Sequence, residues 1–121
     1  MNTNVKGTLG LVHVITDLTE KGYQVFTPLS EHTTMDLIAY KDKQCKRVQV
    51  KYREPYRNKV EVAMHTVVNG KRNPYDITEL DMFAIYCPQW GVAYVEPRDR
   101  GYYLSEEDFK ERGQDGNAAD C

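Results

Sequence analysis

Residues Cys45 to Arg53 (Cys-Lys-Arg-Val-Gln-Val-Lys-Tyr-Arg) alternate in a way that only an extended strand can use. Val48, Val50 and Tyr52 fall on one face, and Arg47, Gln49, Lys51 and Arg53 on the other. Met35 to Tyr40 reads as a second strand. The polar run Lys41-Asp42-Lys43-Gln44 joins the two into a hairpin. With the turn centred between Asp42 and Lys43, paired residues have numbers that sum to 85, so Asp36 is expected opposite Gln49. Directly opposed residues share a face, with Cβ atoms ~4.5–5.5 Å apart. Lys51 lies two residues on, on that same face. A slip by one residue would break the grouping, and the loop has no Asn-Gly pair to fix it.

A carboxylate, an amide and an ammonium on one face suit a hard divalent cation and a water held against a phosphate. Mg²⁺ takes oxygen ligands and keeps several waters. Asp36 is the expected anchoring ligand, with the Gln49 side-chain oxygen and the Val50 carbonyl as weaker ones. Lys51 would neutralise the phosphate or hold the attacking water. Mn²⁺ or Ca²⁺ could replace Mg²⁺ for binding. With one carboxylate the cation affinity is expected to be modest, and DNA phosphates would complete the site. Singly, these residues read as a turn aspartate, a solvent-facing glutamine and an edge-protecting lysine. Their shared register and surrounding charge favour a site.

The net charge of −2 conceals a basic middle. Between Lys41 and Lys59 lie eight basic residues against two acidic ones, half of the sixteen Lys and Arg in the chain. Glu96 to Cys121 holds eight acids and four bases. A basic stripe interleaved with Tyr40, Tyr52 and Tyr56 is the footprint of a phosphate-backbone binder. The expected contacts to double-stranded DNA are Lys6, Lys41, Lys43, Lys46, Arg47, Arg53, Arg57 and Lys59. Asn69, Lys71 and Arg72 join them, on a hairpin tip marked by Asn69-Gly70, as a ribbon for a DNA groove. The plainer reading is a solvated strand face with an ordinary exposed tip.

The whole chain, 121 residues, suits one modest domain. Leu11, Val14, Ile15 and Leu18 give an amphipathic helix over residues 3–21, capped by Thr3 or Asn4 and closed by Gly22. Gly7 and Gly10 each cost a helix ~1 kcal/mol relative to alanine, so either something bulky approaches this turn or the helix starts weakly. Strands are expected at Tyr23–Thr27, Val60–Val68, Met82–Cys87, Gly91–Val95 and Tyr102–Leu104, with Ser105 capping a short helix. Trp90 and Tyr94 read as core, or as subunit contacts. An unstructured end is expected from Gly113. The order of elements gives an α+β (or α/β) domain, a helix on a mixed sheet. Cys45, Cys87 and Cys121 form no disulfide or zinc pattern, and His13, His32 and His65 are scattered. With neither a membrane span nor a signal-peptide pattern, a cytoplasmic location is expected.

Four stretches carry a family likeness: Val5-Lys6-Gly7-Thr8-Leu9-Gly10, Lys21 to Pro28, Met35-Asp36-Leu37-Ile38 and Val48-Gln49-Val50-Lys51. Over roughly residues 3–95 the chain resembles the PD-(D/E)XK nuclease superfamily, and within it the cyanobacterial group I intron homing endonuclease branch. The resemblance implies a restriction-endonuclease-like core over residues 1–104, with 105–121 a short helix and tail. It implies Asp36 as principal metal ligand, Gln49 as second and Lys51 as catalytic lysine. It implies Mg²⁺-dependent double-strand cleavage at a long specific site by a homo-oligomer, a dimer or tetramer. Gln49 stands where the superfamily usually has Glu or Asp, as in a smaller subset that includes the homing enzyme. Leu11 stands where a helix Glu often reaches the metal, and leucine neither ligates a metal nor orients water. Two alternatives follow: a DNA-binding module without catalysis, and a Holliday-junction resolvase.

Overall fold

A computed structural model describes residues 1–30 and 33–113 of the chain. His32, Cys121 and the end expected to be unstructured beyond Gly113 lie outside those residues. Helix α1 (Thr3–Glu20) starts one residue earlier than the sequence reading placed its cap: Asn2 is the N-cap, accepting the Val5 N–H at 2.9 Å. Gly22 closes the helix at φ +93°, a conformation that side chains with a Cβ resist.

Strand β1 (Gln24–Phe26) leads to β2 (Leu37–Lys41) and β3 (Gln44–Tyr52). The β2–β3 register runs from Leu37 opposite Val48 to Lys41 opposite Gln44, as the alternation requires. Its turn is tight without an Asn-Gly pair, because Asp42 and Lys43 themselves take φ +54° and +66°. The ladder slips at the start of β2. The Asp36 N–H donates to Val48 O at 2.8 Å, so Asp36 and Leu37 both address Val48. Asp36 therefore does not lie squarely opposite Gln49, a local two-against-one arrangement of the kind a β-bulge makes.

The single strand expected over 60–68 is two, β4 (Val60–Val62) and β5 (His65–Val68). It divides because its halves have different partners. Strand β5 pairs with β6 (Lys71–Pro74) through the Asn69-Gly70 turn, whose residues sit at φ +52° and +75°. A 3₁₀ turn (Ile77–Glu79), capped by Asp76, precedes β7 (Met82–Cys87) and β8 (Gly91–Val95). Strand β9 (Tyr102–Leu104) returns to pair with β4. Helix α2 (Glu106–Gly113) opens on a reciprocal cap: the Asp108 N–H donates to Ser105 Oγ at 3.2 Å, and the Ser105 N–H to Asp108 Oδ2 at 2.8 Å.

The main sheet has the order β1-β2-β3-β7-β8, antiparallel except for the central β3–β7 pair. It has a core on each face. On one face Val14 and Leu18 of α1 pack with Leu37, Val48, Met82 and Tyr94. On the opposite face Phe83 and Ile85 meet Val62 of β4, Leu104 of β9 and Phe109 of α2. Tyr94 is fully buried in the core, and the half-buried Trp90 packs edge-on against Phe109 at the core's margin, with ring centroids 5.7 Å apart. Gly10 sets how closely α1 rides on β3. A Cβ there would already touch Val50 Cγ1 at 3.5 Å and Tyr52 Cβ at 3.6 Å. Among the described residues, no helix is long and apolar enough to cross a membrane.

Candidate functional site

The slip at Asp36 builds the site. Its carboxylate turns across the ladder and accepts the Val50 N–H at 2.7 Å. Asp36, Val50 and Leu11 line one cleft against the first turns of α1. Lys51 lines an adjoining cleft with Lys6, Arg53 and Tyr75, and Gly7 and Val50 border both. A Cβ on Gly7 would meet nothing within 4 Å, so Gly7 leaves the mouth of the two clefts open.

Burial raises the Asp36 carboxyl above the usual carboxylate range. The Val50 N–H and the Lys51 charge oppose that shift by favouring the anion. Lys51 is only 6 % exposed. Burial lowers its pKa from 10.5 to about 8, helped by the Arg53 charge and opposed by Asp36. Its Nζ donates to Tyr75 Oη at 3.1 Å and stands 5.4 Å from the centroid of the Phe83 ring. Burial also raises the Tyr75 hydroxyl pKa. Nothing in the sequence marks Tyr75, because only the return from β6 brings it to Lys51.

Gln49 shares the β3 face of Lys51, beside Phe83 of the parallel neighbour. Its Oε1 is buried and lacks a hydrogen-bond partner among the described residues. A buried carbonyl oxygen left unpaired is costly. It is the kind of neutral oxygen donor that a hard cation takes. Gln49 lines neither of the two clefts above, so it does not join Asp36 and Lys51 at their walls, contrary to what the shared strand face predicts. Among the described residues, no group of three His, Cys, Asp or Glu is placed to hold a metal. A cation bound at Asp36 would therefore meet one carboxylate and neutral oxygens. His13, outside both clefts, stacks on Tyr86 with ring centroids 4.1 Å apart.

The basic residues divide in two. Arg47 is committed to Asp81, through Nε at 2.9 Å, Nη2 at 3.0 Å and its own backbone N–H at 2.8 Å. Lys46 is buried. Lys41 donates to Lys21 O at 3.0 Å and lies over the Tyr23 ring. Lys6 pairs with Glu54 at 3.5 Å, and Arg53 donates to Tyr52 O at 2.8 Å. Lys43, Arg57, Lys59, Asn69, Lys71 and Arg72 are exposed on hairpin tips. Alternation alone could not separate a strand arginine that pins two segments from one that faces solvent.

The profile of the PD-(D/E)XK endonuclease family matches residues 1–117. The structure is similar to that of a bacterial homing endonuclease, I-Ssp6803I, with a TM-score of 0.73 at 16% identity, covering 99% of this chain and 88% of that one. It is similar to Hjc, a Holliday junction resolvase from the archaeal hyperthermophile Archaeoglobus fulgidus, with a TM-score of 0.55 at 11% identity, covering 88% of each chain. At these identities the likeness is one of fold, restriction-endonuclease-like with an N-terminal helix on a mixed sheet. No curated protein sequence matches significantly. With nearly its whole length matched by one profile, the chain belongs to the PD-(D/E)XK endonuclease family.

Proposed function

We propose that this protein is a DNA endonuclease of the site-specific homing type, dependent on a divalent cation such as Mg²⁺. The observation that carries the reading is the Asp36 carboxylate bonded to the Val50 N–H, with Lys51 in the adjoining cleft; the buried, unpaired oxygen of Gln49, on the same strand, is a further donor. Asp36, Gln49 Oε1 and the Val50 carbonyl would hold the cation. Bound there, the cation supplies charge relief on the phosphate and a more acidic water. Lys51, clamped between Tyr75 and Phe83, orients the attacking water or the phosphate oxygen with a charge-assisted hydrogen bond. The exposed β5–β6 tip, with Asn69, Lys71 and Arg72, would enter a DNA groove. One site cuts one strand, so a double-strand break requires at least two copies of the chain.

A second reading, DNA binding without cleavage, is favoured by one contact surface. Leu11 lines the same cleft as Asp36, where a carboxylate would add a ligand. One experiment separates the two. Supercoiled plasmid libraries with randomised inserts are treated with Mg²⁺ or Mn²⁺ and the native chain, Leu11→Glu, or Leu11→Glu combined with Asp36→Asn. Cleavage by the native chain or by Leu11→Glu, lost with Asp36→Asn, supports the endonuclease. Retained DNA binding with no cleavage by either supports the binding module. A four-way junction in the same gel tests junction resolution.

A further inference from the structure

A third cleft, of about 370 Å³, shares Arg53 with the cleft that Lys51 lines. One wall is the tight turn Tyr56–Lys59. The Tyr56 N–H donates to Lys59 O at 2.8 Å and the Lys59 N–H to Tyr56 O at 3.1 Å, with Arg57 and Asn58 at φ +52° and +65°. The other wall is the outer face of the β4–β9 ribbon. Glu61 and Tyr103 are directly opposed there, so they share a face, while Val60, Val62 and Leu104 turn into the core. Tyr56 is 73% exposed and Tyr103 67% exposed, and both line the cleft with Glu61, Lys59 and Arg53.

Two exposed tyrosine rings beside two cations have a specific chemistry; the Arg57 guanidinium stands 5.2 Å from the centroid of the Tyr56 ring, which leaves its other face for a base. Nucleobases stack on tyrosine rings, and Arg and Lys track the phosphates between them. Glu61 contributes an acceptor. A carboxylate accepts from the exocyclic amine of cytosine, whereas the corresponding edge of thymine offers a carbonyl. The other acid lining the cleft, Glu54, is paired with Lys6. Arg53 lines both this cleft and the one holding Lys51, so a strand passing Lys51 reaches the tyrosines next. A base inside a duplex cannot stack on a protein ring.

We infer that the cleft between the Tyr56–Lys59 turn and the β4–β9 ribbon holds an unstacked, amine-bearing base of a nucleic-acid strand next to the phosphate at Lys51. The base stacks on Tyr103 and Tyr56, Lys59 and Arg53 hold its phosphates, and Glu61 accepts from its amine. The placement beside a reacting phosphate rests on the nuclease reading; the binding of the base does not.

Fluorescence anisotropy with labelled single-stranded dC and dT oligonucleotides tests the inference on the intact chain without added metal. The dC oligomer is expected to bind more tightly than dT. Tyr103→Ala and Tyr56→Ala should each weaken dC binding about tenfold, while Tyr103→Phe, which keeps the ring, should bind as the native chain does. Glu61→Gln should remove the preference for dC over dT. Equal affinity of Tyr103→Ala and the native chain overturns the stacking site, and a dC preference that survives Glu61→Gln overturns the role of Glu61. Plasmid cleavage is scored separately. Cleavage that persists after the stacking site fails leaves the endonuclease standing, and stacking without cleavage leaves the base site standing.

Discussion

Replacing Lys51 with methionine should make the protein more stable at neutral pH. Lys51 is 6 % exposed, and its pKa falls from 10.5 to about 8 in the folded chain. The folded state thus disfavours the ammonium. Below about pH 8 both states hold the proton, and the native state bears the whole penalty. Between about 8 and 10.5 the native chain sheds the proton while the unfolded chain keeps it, so stability rises with pH across that window. At ~1.4 kcal/mol per pH unit the penalty at pH 7 is about 3 kcal/mol. Losing the bond to Tyr75 offsets about 1 kcal/mol of the gain. Lys51→Met should therefore gain about 2 kcal/mol at pH 7, or several degrees in Tm. Urea unfolding of both proteins from pH 7 to about pH 9.5 is the assay, with the advantage shrinking as pH rises. A variant less stable at pH 7, or a gap that ignores pH, would refute the claim that Lys51 is a strained, buried ammonium.

In the Leu11→Glu background, Lys51→Ala should abolish cleavage and leave duplex binding largely intact, as plasmid and gel-shift assays would show; retained cleavage removes Lys51 from the mechanism. Arg72→Ala should weaken duplex binding and reduce the slope of log K against log salt by about 1; unchanged affinity argues against a groove-reading β5–β6 tip. Tyr94→Phe removes the hydroxyl that donates to Asp17 inside the α1 core and should cost about 1–2 kcal/mol in urea unfolding; no loss would mean that the Lys21–Asp17 pair alone satisfies that carboxylate.

The strand period made the β2–β3 hairpin and its register legible, because one face of β3 must be buried against α1. The same logic missed what happens at Asp36. A bulge-like slip leaves no mark on alternation, yet it is the slip that turns the carboxylate onto the Val50 N–H. The division of 60–68 was hidden because Val60, Val62 and Met64 continue one buried face while the hydrogen-bond partner changes from β9 to β6. Tyr75 reaches Lys51, and Asp81 reaches Arg47, through contacts distant in sequence, and nothing near them in the chain announces it. The paired glycines of α1 hinted at a close approach. Gly10 has one, to β3, whereas Gly7 opens the clefts instead.

The cation site itself is most directly read by titrating isotope-labelled protein with Mn²⁺ and following backbone amide signals. If Asp36 and its neighbouring oxygens grip the ion, the Gln49, Val50 and Lys51 amides broaden first, and Asp36→Asn removes the effect. Broadening that begins elsewhere, or that survives Asp36→Asn unchanged, contradicts the account.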